Sequence, residues 1–226
     1  MPLKAVLFDM DGVIVDTEPL HRKAYFKMFD DFGIDVSEEL YTSFTGASTK
    51  KVCTTLVEKF NLEESHEDLA AIKRNYFKYY FDTDPDFDLI LGVKDLIVHY
   101  HENGIKLVLA SSAHMNTINW VFEKFDLEQY FVGKISGADL QESKPHPEIF
   151  LLASELAAEP KEYCMVIEDS TNGIEAASAA GIFCVAYQSA HSSNQVYEKA
   201  SLLVSDFSDI EFENIEKDAG TENLDF

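Results

Sequence analysis

Short apolar segments alternate with helical patterns along most of the chain, and this alternation constrains the fold more strongly than any other feature of the sequence. Apolar runs of strand length occur at 5–8, 105–110, 163–167 and 182–186, with weaker candidates at 134–136 and 202–204. Helical spacing of apolar residues occurs at 92–100, 116–125, 147–158 and 172–180. Strands that are apolar on both faces and separated by helices are typical of a parallel sheet between helical layers. The sequence therefore predicts an α/β fold, with helices on both faces of one parallel sheet.

The stretch between residues 17 and 88 interrupts this alternation. Its apolar residues repeat with helical spacing, it contains no convincing strand, and it ends in the acidic, proline-containing segment 82–86. It also carries half of the 18 Lys and Arg residues. We predict that residues 17–88 form a helical domain inserted after the first strand, and that residues 1–16 and 89–226 form the α/β core.

The charge of the chain limits the classes of partner. The formal net charge is −23, from 18 basic and 41 acidic residues, and this disfavours a nucleic-acid partner because phosphates require a basic surface. The negative electrostatic field of such a chain also repels anionic small molecules, unless basic side chains cluster at the binding site or a metal ion is bound there. Residues 206–226 are strongly acidic and lack apolar periodicity, so we expect a mobile or loosely docked acidic tail.

The lengths of the apolar runs and the number of cysteines indicate the cellular compartment of the protein. The runs are far shorter than the ~20 residues of a membrane helix, and the N-terminus shows no signal-peptide pattern. Cys53, Cys164 and Cys184 have neither the number nor the spacing of a disulfide framework or a metal site. We therefore expect a cytoplasmic protein with no membrane partner. An acidic surface without an evident exposed apolar stripe favours a monomer.

Chemically active residue types follow several predicted strands at the point where each strand ends. The set comprises Asp9, Asp11, Ser111, Ser112, Glu168 and Asp169, with Lys144 shortly before a predicted helix. Each of these residues alone could be a helix cap or a solvated side chain. We expect the set to converge, because open α/β sheets bind ligands beyond the carboxyl ends of their strands. Clustered carboxylates indicate a bound cation or acid–base chemistry, and oxygen ligands alone favour Mg²⁺.

Four ordered motifs give the chain a family resemblance. They are Asp9-Met10-Asp11-Gly12-Val13-Ile14-Val15-Asp16, then Ser111, then Lys144-Pro145, then Glu168-Asp169-Ser170-Thr171-Asn172-Gly173-Ile174. With these motifs in this order, the chain resembles the haloacid dehalogenase-like hydrolases, and most closely the branch that contains β-phosphoglucomutase and small sugar-phosphate phosphatases. The resemblance covers nearly the whole chain except the acidic tail. It implies a Rossmann-like parallel sheet and, at the helical insert, a small all-helical cap domain.

The resemblance implies that two acids of the first motif share the chemistry. Asp9 would be the nucleophile that attacks phosphorus and forms an aspartyl-phosphate. Asp11 would protonate the leaving oxygen and then deprotonate the attacking water. An acid at position 11 also favours phosphoryl transfer over haloacid chemistry, because displacing a halide needs no proton donor.

The other motifs imply a metal site and contacts to the phosphoryl group. The implied Mg²⁺ ligands are Asp9, the Asp11 carbonyl, Asp169 and, directly or through water, Glu168. Ser111 and backbone amides near Ser112 would hydrogen-bond the transferring phosphoryl group. Lys144 would offset the negative charge between the nucleophile and the phosphoryl oxygens.

Substrate selection is expected to lie in the helical cap, whose closure would exclude water. The candidate substrate-binding residues are His21, Arg22, Thr49, Lys50, Lys73 and Arg74. Residues 45–48 look like a loop that enters a helix whose N-terminus could face the site. A small phosphorylated metabolite, with a sugar phosphate as the first choice, fits these polar groups.

Two related activities and one non-enzymatic role compete for this site. His21 matches a histidine that gates the acid–base aspartate in β-phosphoglucomutases, which is consistent with a phosphomutase. Those enzymes, however, carry an arginine at the position of Thr49 and a Ser-Lys-Asn stretch where this chain has residues 113–115, Ala-His-Met. Thr49 cannot replace a bidentate guanidinium, and the run 143–148 looks more like the phosphatases, so we predict a phosphatase with a phosphomutase as the alternative.

A phosphorylatable receiver-like switch would also combine an acceptor Asp, neighbouring acids, a Lys and Mg²⁺ on a parallel sheet. Receiver domains place the acceptor at a later strand and have no cap. The pair Asp9 and Asp11, together with the inserted helices, favours turnover, because Asp11 gives the intermediate a route to hydrolysis. A switch would accumulate phosphoprotein, whereas an enzyme releases phosphate repeatedly.

Overall fold

The computed structural model describes residues 2–44, 49–188, 195–212 and 214–215. The chain divides into two compact units, Met1–Asp16 with Leu89–Phe226, and Thr17–Asp88. The strands are β1 (Ala5–Phe8), β2 (Lys106–Ser111), β3 (Phe131–Ser136), β4 (Cys164–Glu168), β5 (Phe183–Tyr187) and β6 (Leu202–Val204). The α-helices are α1 (Glu18–Phe32), α2 (Glu38–Thr42), α3 (Thr49–Phe60), α4 (His66–Thr83), α5 (Val93–Glu102), α6 (Met115–Lys124), α7 (Glu148–Leu156) and α8 (Thr171–Ala180). Short 3-10 helices span Glu128–Tyr130, Gly137–Asp139, Lys161–Tyr163 and Phe207–Ile210.

The six strands form one parallel sheet in the order β3-β2-β1-β4-β5-β6. The predicted parallel sheet is confirmed. β1 lies inside the sheet, where Leu7 pairs with Val108 of β2 on one side and Val166 of β4 on the other. The strand order reverses between β1 and β4, because the chain moves outward from β1 to β3 and then returns to the far side of β1. Sheets of this kind bind ligands beyond the strand ends at such a reversal.

Alternate residues of the strands face opposite helical layers. Ala5 and Leu7 of β1 belong to a buried cluster with Phe150 of α7 and Ile174 of α8. Phe8 contacts Tyr100 of α5 instead, with ring centroids 6.5 Å apart. Helices therefore cover both faces of the sheet, which explains why β1 is apolar at every position.

The strand β3 is longer than the sequence pattern predicts. It begins at Phe131 rather than at Lys134, and the Phe131 ring packs edge-on against Phe8 and Phe122. Gly133 interrupts the apolar run and hides the strand in the sequence. A Cβ at Gly133 would lie 2.4 Å from the side chain of Leu156 on α7, so close packing of the helix on this edge strand accounts for the glycine.

The segment after β1 folds into a compact turn. The N–H of Gly12 donates to the Val15 carbonyl and the N–H of Ile14 donates to the Met10 carbonyl, each at 2.8 Å. Gly12 has a φ of +84°, a conformation that side chains disfavour. Residues 13–15 are fully buried. The turn is therefore anchored in the core, and it contains Asp11, while Asp9 lies directly between β1 and the turn.

In its described residues, the Thr17–Asp88 unit consists of four α-helices and the loops that connect them, and it has a core of its own. α1 and α3 both pack against α4, and the buried cluster includes Met28, Cys53, Leu56 and Leu69. The predicted loop 45–48 lies outside the described residues. Across the described parts of both units, no helix combines the length and the apolarity needed to cross a membrane.

The first part of the predicted acidic tail packs onto the α/β unit. Phe207 stacks on Tyr187 with ring centroids 4.2 Å apart, and Ile210 is fully buried. The Tyr100 hydroxyl donates to the Ile210 carbonyl oxygen. The prediction of a mobile or loosely docked tail is therefore wrong for 207–210, where a short 3-10 helix brings two apolar residues onto the core. Residues 213 and 216–226 lie outside the described residues.

Candidate active site

Three carboxylates lie together beyond the ends of β1 and β4. Asp9 follows β1, Glu168 ends β4, and Asp169 comes directly after it. One oxygen of each carboxylate lies within 4.8 Å of the other two. Asp9 and Glu168 are 7% and 1% exposed, so water screens their mutual repulsion poorly. Such a group requires positive charge nearby.

Lys144 supplies one positive charge to this group. Its Nζ donates to Asp9 Oδ1 at 2.6 Å and to Glu168 Oε1 at 2.7 Å. It also donates to the carbonyl oxygen of Ala110 in β2 at 3.0 Å. Burial opposes the charge on Lys144, but Asp9 and Glu168 outweigh it and raise the pKa of the ammonium above its ordinary value. Lys144 is therefore a fixed cation that bridges the ends of β1, β2 and β4.

Lys144 carries one positive charge, whereas the cluster contains three carboxyl groups. Burial raises the pKa of Asp9, and the lowering effect of Lys144 is opposed by Glu168 and Asp169. Burial, followed by the charges of Glu168 and Asp11, raises the pKa of Asp169 to about 7. Both shifts have the direction expected of a site that accommodates a further cation.

Glu168 divides its two oxygens between Lys144 and the start of α8. Oε1 accepts from Lys144, while Oε2 accepts from the Asp169 N–H and the Ser170 N–H, each at 2.8 Å, and from Ser170 Oγ at 3.0 Å. A carboxylate is favourable at a helix N-terminus, where backbone N–H groups lack partners within the helix. A Cβ at Gly173 would lie 1.7 Å from Glu168 Oε1, so this glycine leaves the space that the carboxylate occupies.

Gly12 makes a similar space for Asp169. A Cβ at Gly12 would lie 2.1 Å from Asp169 Oδ2, closer than side-chain atoms can approach. The glycine therefore satisfies both the backbone conformation of the turn and the close approach of a carboxylate.

The remaining residues of the α/β unit that the sequence predicts for the site occupy neighbouring positions. Ser111 ends β2, is 1% exposed, and accepts from the Ala113 N–H at 3.1 Å. Ser112 is exposed. Asp11 lies close enough to Asp169 for its negative charge to raise the pKa of the Asp169 carboxyl group. The structure thus brings Asp9, Lys144, Glu168 and Asp169 into one cluster and places Ser111 at the end of the strand beside β1.

The donor set of this cluster fits a hard divalent cation. The three grouped residues all carry carboxyl groups, and Mg²⁺ prefers oxygen donors more strongly than softer metals do. The oxygens of Asp169 have room because position 12 lacks a side chain. One Glu168 oxygen already accepts three hydrogen bonds, which leaves Asp9 and Asp169 as the acids best suited to direct ligation and Glu168 as the acid that supports them.

In the helical unit, two candidate residues lie in contact. His21 Nδ1 is 2.5 Å from Lys73 Nζ, and the His21 ring stacks on Phe77 with centroids 4.4 Å apart. Burial, and then the charge of Lys73, lowers the pKa of His21 to about 3. Because an ammonium only donates hydrogen bonds, Nδ1 is the acceptor and the neutral imidazole carries its proton on Nε2.

The other candidates of the helical unit are dispersed. Thr49 and Lys50 begin α3, and Lys50 is exposed. Arg74 is exposed on α4, next to Lys73 in the chain. Arg22 forms an ion pair with Glu38, and its guanidinium lies 4.1 Å from the centre of the Phe26 ring. These contacts favour a role for Arg22 in the packing of the helical unit rather than in substrate selection.

Sequence reasoning missed three participants in the α/β site. Gly12 and Gly173 stand inside the quoted motifs, Gly12 in the turn after β1 and Gly173 within the first turn of α8. A glycine in a turn, or inside a helical pattern next to an acidic motif, is the signal that could have identified them. The third is the Ala110 carbonyl, which receives a hydrogen bond from Lys144. A backbone acceptor has no side-chain signal in the sequence.

Comparisons with known proteins connect this geometry to a family. The model of the haloacid dehalogenase-like hydrolase family matches residues 6–187. The chain is 33% identical over 184 residues to the Phosphorylated carbohydrates phosphatase of Thermotoga maritima, and the match covers 80% of this chain and 82% of that protein. It is 29% identical over 180 residues to Hexitol phosphatase B of Escherichia coli, covering 78% of this chain and 79% of that protein.

A solved structure extends the similarity to almost the whole chain. The crystal structure of β-phosphoglucomutase from Clostridium difficile matches with a TM-score of 0.77 and 28% identity. The match covers 99% of this chain and 100% of that chain. The similarity therefore includes the helical unit as well as the α/β unit.

Proposed function

The chain belongs to the haloacid dehalogenase-like hydrolase family, and we propose that it hydrolyses the phosphate monoester of a small phosphorylated carbohydrate. Its curated relatives include named phosphatases, and the chain is accordingly a phosphoric monoester hydrolase. The observation that carries the proposal is the buried contact of Lys144 with Asp9 and Glu168 beside Asp169. This contact brings a buried lysine and three carboxyl groups together beyond the ends of β1 and β4, which supports the attack of a carboxylate on a phosphate ester at this place.

Asp9 is the nucleophile in this proposal. One carboxylate oxygen attacks phosphorus, the bond from phosphorus to the ester oxygen breaks, and an aspartyl-phosphate forms. The attack requires an ionised carboxylate, and Lys144 favours ionisation through its contact with Oδ1. Lys144 Nζ also stands where negative charge gathers during the transfer, and such pre-placed charge is the main source of acceleration in phosphoryl transfer.

Asp11 is the proton donor and acceptor. It lies two residues beyond Asp9 in the anchored turn after β1 and is partly exposed. Its carboxyl group protonates the leaving ester oxygen and then takes a proton from the water that attacks the aspartyl-phosphate. The second step releases inorganic phosphate and restores the carboxylate of Asp9.

Asp9, Asp169 and the Asp11 carbonyl would hold Mg²⁺, with Glu168 in support. When bound, the ion supplies positive charge to the phosphoryl oxygens and to the ionised nucleophile. Ser111 and the amides near Ser112 would bind the phosphoryl group.

The substrate class follows from the relatives and from the helical unit. Two relatives carry the names Phosphorylated carbohydrates phosphatase and Hexitol phosphatase B. The helical unit, which we propose to be the cap, offers His21, Thr49, Lys50, Lys73 and Arg74 as groups that select a polar, anionic molecule. A sugar or polyol phosphate satisfies both considerations.

A phosphomutase is the second candidate, because the β-phosphoglucomutase from Clostridium difficile matches almost the whole chain. A mutase must hold a second phosphate while the first is transferred. The position that would supply an arginine for this purpose is Thr49 in this chain, and residues 113–115 are Ala-His-Met. These replacements favour hydrolysis over transfer to a second hydroxyl.

The test is phosphate release from a panel of sugar and polyol phosphates, measured with Mg²⁺ and again with EDTA. We expect repeated turnover that requires Mg²⁺ and is lost in Asp9→Asn, which keeps the shape of the side chain but removes the nucleophilic charge. Circular dichroism checks that the Asp9→Asn variant is folded. Sustained release by Asp9→Asn would refute the assignment of the nucleophile.

A second arm of the same assay addresses the mutase. It uses β-glucose 1-phosphate with a trace of the bisphosphate, and follows glucose 6-phosphate and free phosphate together. We expect free phosphate. Glucose 6-phosphate without free phosphate would overturn the phosphatase in favour of the mutase, and one equivalent of stable phosphoprotein would favour a switch.

A further inference from the structure

Gln195, which belongs to none of the four motifs, accepts hydrogen bonds from Thr171, the first residue of α8. Its Oε1 accepts from the Thr171 N–H and from Thr171 Oγ1, each at 2.7 Å. The Val196 N–H in turn donates to Thr171 Oγ1 at 2.9 Å. Gln195 lies 24 residues beyond Thr171 in the chain, so the contact is a product of the fold.

The start of α8 is also where the carboxylates of the candidate cation site attach to the backbone. Glu168 Oε2 accepts the N–H groups of Asp169 and Ser170, and Ser170 Oγ accepts the N–H of Gly173. Gln195 accepts the N–H of Thr171, between these two sets. Glu168, Ser170 and Gln195 therefore each accept hydrogen bonds from backbone N–H groups at the start of α8.

We propose that Gln195 is a positioning residue for the divalent-cation site, acting through Thr171 on Asp169 and Glu168; this inference rests on the proposed function. Without the Gln195 oxygen, the Thr171 N–H and hydroxyl lose their acceptor. These donors lie close in the chain to Glu168 and Asp169, which directly precede α8. Carboxylates are the strongest acceptors for such freed donors. A carboxylate drawn toward Thr171 is a poorer cation ligand, because ligand orientation depends on the hydrogen bonds around it.

A second contact between the same two parts of the chain provides a matched control. Lys199 Nζ lies 2.8 Å from Glu175 Oε1, and it links the segment after Gln195 to α8 one turn beyond Thr171. Both side chains of this pair are substantially exposed. Lys199→Gln therefore weakens the attachment of the segment to α8 without removing an acceptor from the first turn.

The experiment measures the dissociation constant of Mg²⁺ alone by isothermal titration calorimetry on the full chain. For Gln195→Leu we expect binding weaker by about threefold to tenfold, less than the 10- to 100-fold typical of direct partners of ligands, because Gln195 acts through Thr171. Gln195→Glu restores an acceptor oxygen and should bind within about twofold of the wild type. The turnover number of Gln195→Leu should return to that of the wild type as Mg²⁺ is raised, since the reacting groups are untouched.

A purely structural role would give a different pattern. Wild-type Mg²⁺ affinity in Gln195→Leu, or an equal loss in Lys199→Gln, would overturn the inference while leaving the proposed function intact. If Gln195→Leu does not fold, Thr171→Val removes the hydroxyl contacts with Gln195 and Val196 and keeps the Thr171 N–H contact. Unchanged Mg²⁺ affinity in that variant would also overturn the inference. A wild-type chain that binds no Mg²⁺ would overturn the cation dependence in the proposed function together with this inference.

Discussion

A single methyl group would decide whether Glu168 can lie against the start of α8. A Cβ at Gly173 would stand 1.7 Å from Glu168 Oε1 and 1.9 Å from its carboxyl carbon. The helix leaves no other position for that Cβ, because the Gly173 N–H is held by Ser170 Oγ. Glu168 would have to move, and its contact with Lys144 would change with it.

We therefore expect Gly173→Ala to lose activity even though alanine is the better helix former. A displacement of about 1 Å in a catalytic group can cost about 100-fold, so kcat/KM should fall by about that factor. Phosphate release under saturating Mg²⁺ provides the measurement.

The control for this substitution is Ser178→Ala, an exposed position on the same helix. It raises helix propensity without approaching the acids and should keep wild-type activity. An active Gly173→Ala variant would contradict the proposed contribution of Glu168.

At the scale of elements, α1 and α4 meet around a buried ammonium. Lys73 on α4 is 3% exposed, and its Nζ lies 4.8 Å from the Tyr25 ring centre and 5.2 Å from the Phe77 ring centre. Burial lowers the pKa of Lys73 from 10.5 to about 8, with Cys53 and Glu18 acting in the opposite direction. At neutral pH, the buried charge of Lys73 therefore destabilises the packing of these two helices.

This charge predicts how the stability of the chain depends on pH. Below pH 8 Lys73 is protonated in both the folded and the unfolded chain, so the folded chain bears the full free-energy cost of burying the charged ammonium. Between pH 8 and 10.5 the folded chain releases the proton first, so the cost disappears as the pH rises. Relative to Lys73→Met, the wild type should gain on the order of 3 kcal/mol in unfolding free energy across this window.

Urea unfolding followed by circular dichroism at several pH values measures the difference. Lys50→Met, which removes an exposed lysine of the same unit, should show no comparable change. A wild-type chain that loses stability relative to Lys73→Met as the pH rises would contradict a buried, destabilised ammonium.

At the scale of the whole molecule, the charge works against the anionic substrate that the site is proposed to accept. The chain carries a net charge of −23, while the site itself offers a buried lysine and a group that suits a cation. Long-range repulsion between molecules of like charge slows their encounter and is screened by salt.

We expect kcat/KM for a sugar phosphate to rise with ionic strength at a constant concentration of free Mg²⁺. Between about 0.01 M and about 0.1 M salt the screening length falls from about 30 Å to about 10 Å, and we expect an increase of about twofold to threefold. An amino-sugar phosphate, whose ammonium offsets part of the charge, should show a smaller increase. A steep decrease with salt would show that local cations outweigh the overall field.

Local patterns in the sequence account for much of what was predicted. The run 163–167 identifies β4 and hence places Glu168 at its end, and the run 5–8 does the same for Asp9. β3 shows where local patterns fail: its apolar run is broken by Gly133, and its position depends on Phe8, Phe122 and α7. Phe207 and Ile210 likewise show no period in the sequence, since their burial depends on Tyr187 and Tyr100.

The sequence by itself determined the parallel sheet, its helical layers and the set of acids at the strand ends, because apolar periodicity and short motifs are properties of neighbouring residues. The tertiary structure decided which oxygen of Glu168 accepts from Lys144 and which from α8, why positions 12 and 173 carry no side chain, and that Gln195 holds Thr171. It also decided the protonation of His21 and Lys73. These features depend on distance and on exclusion of water between residues far apart in the chain, and folding alone brings such residues together.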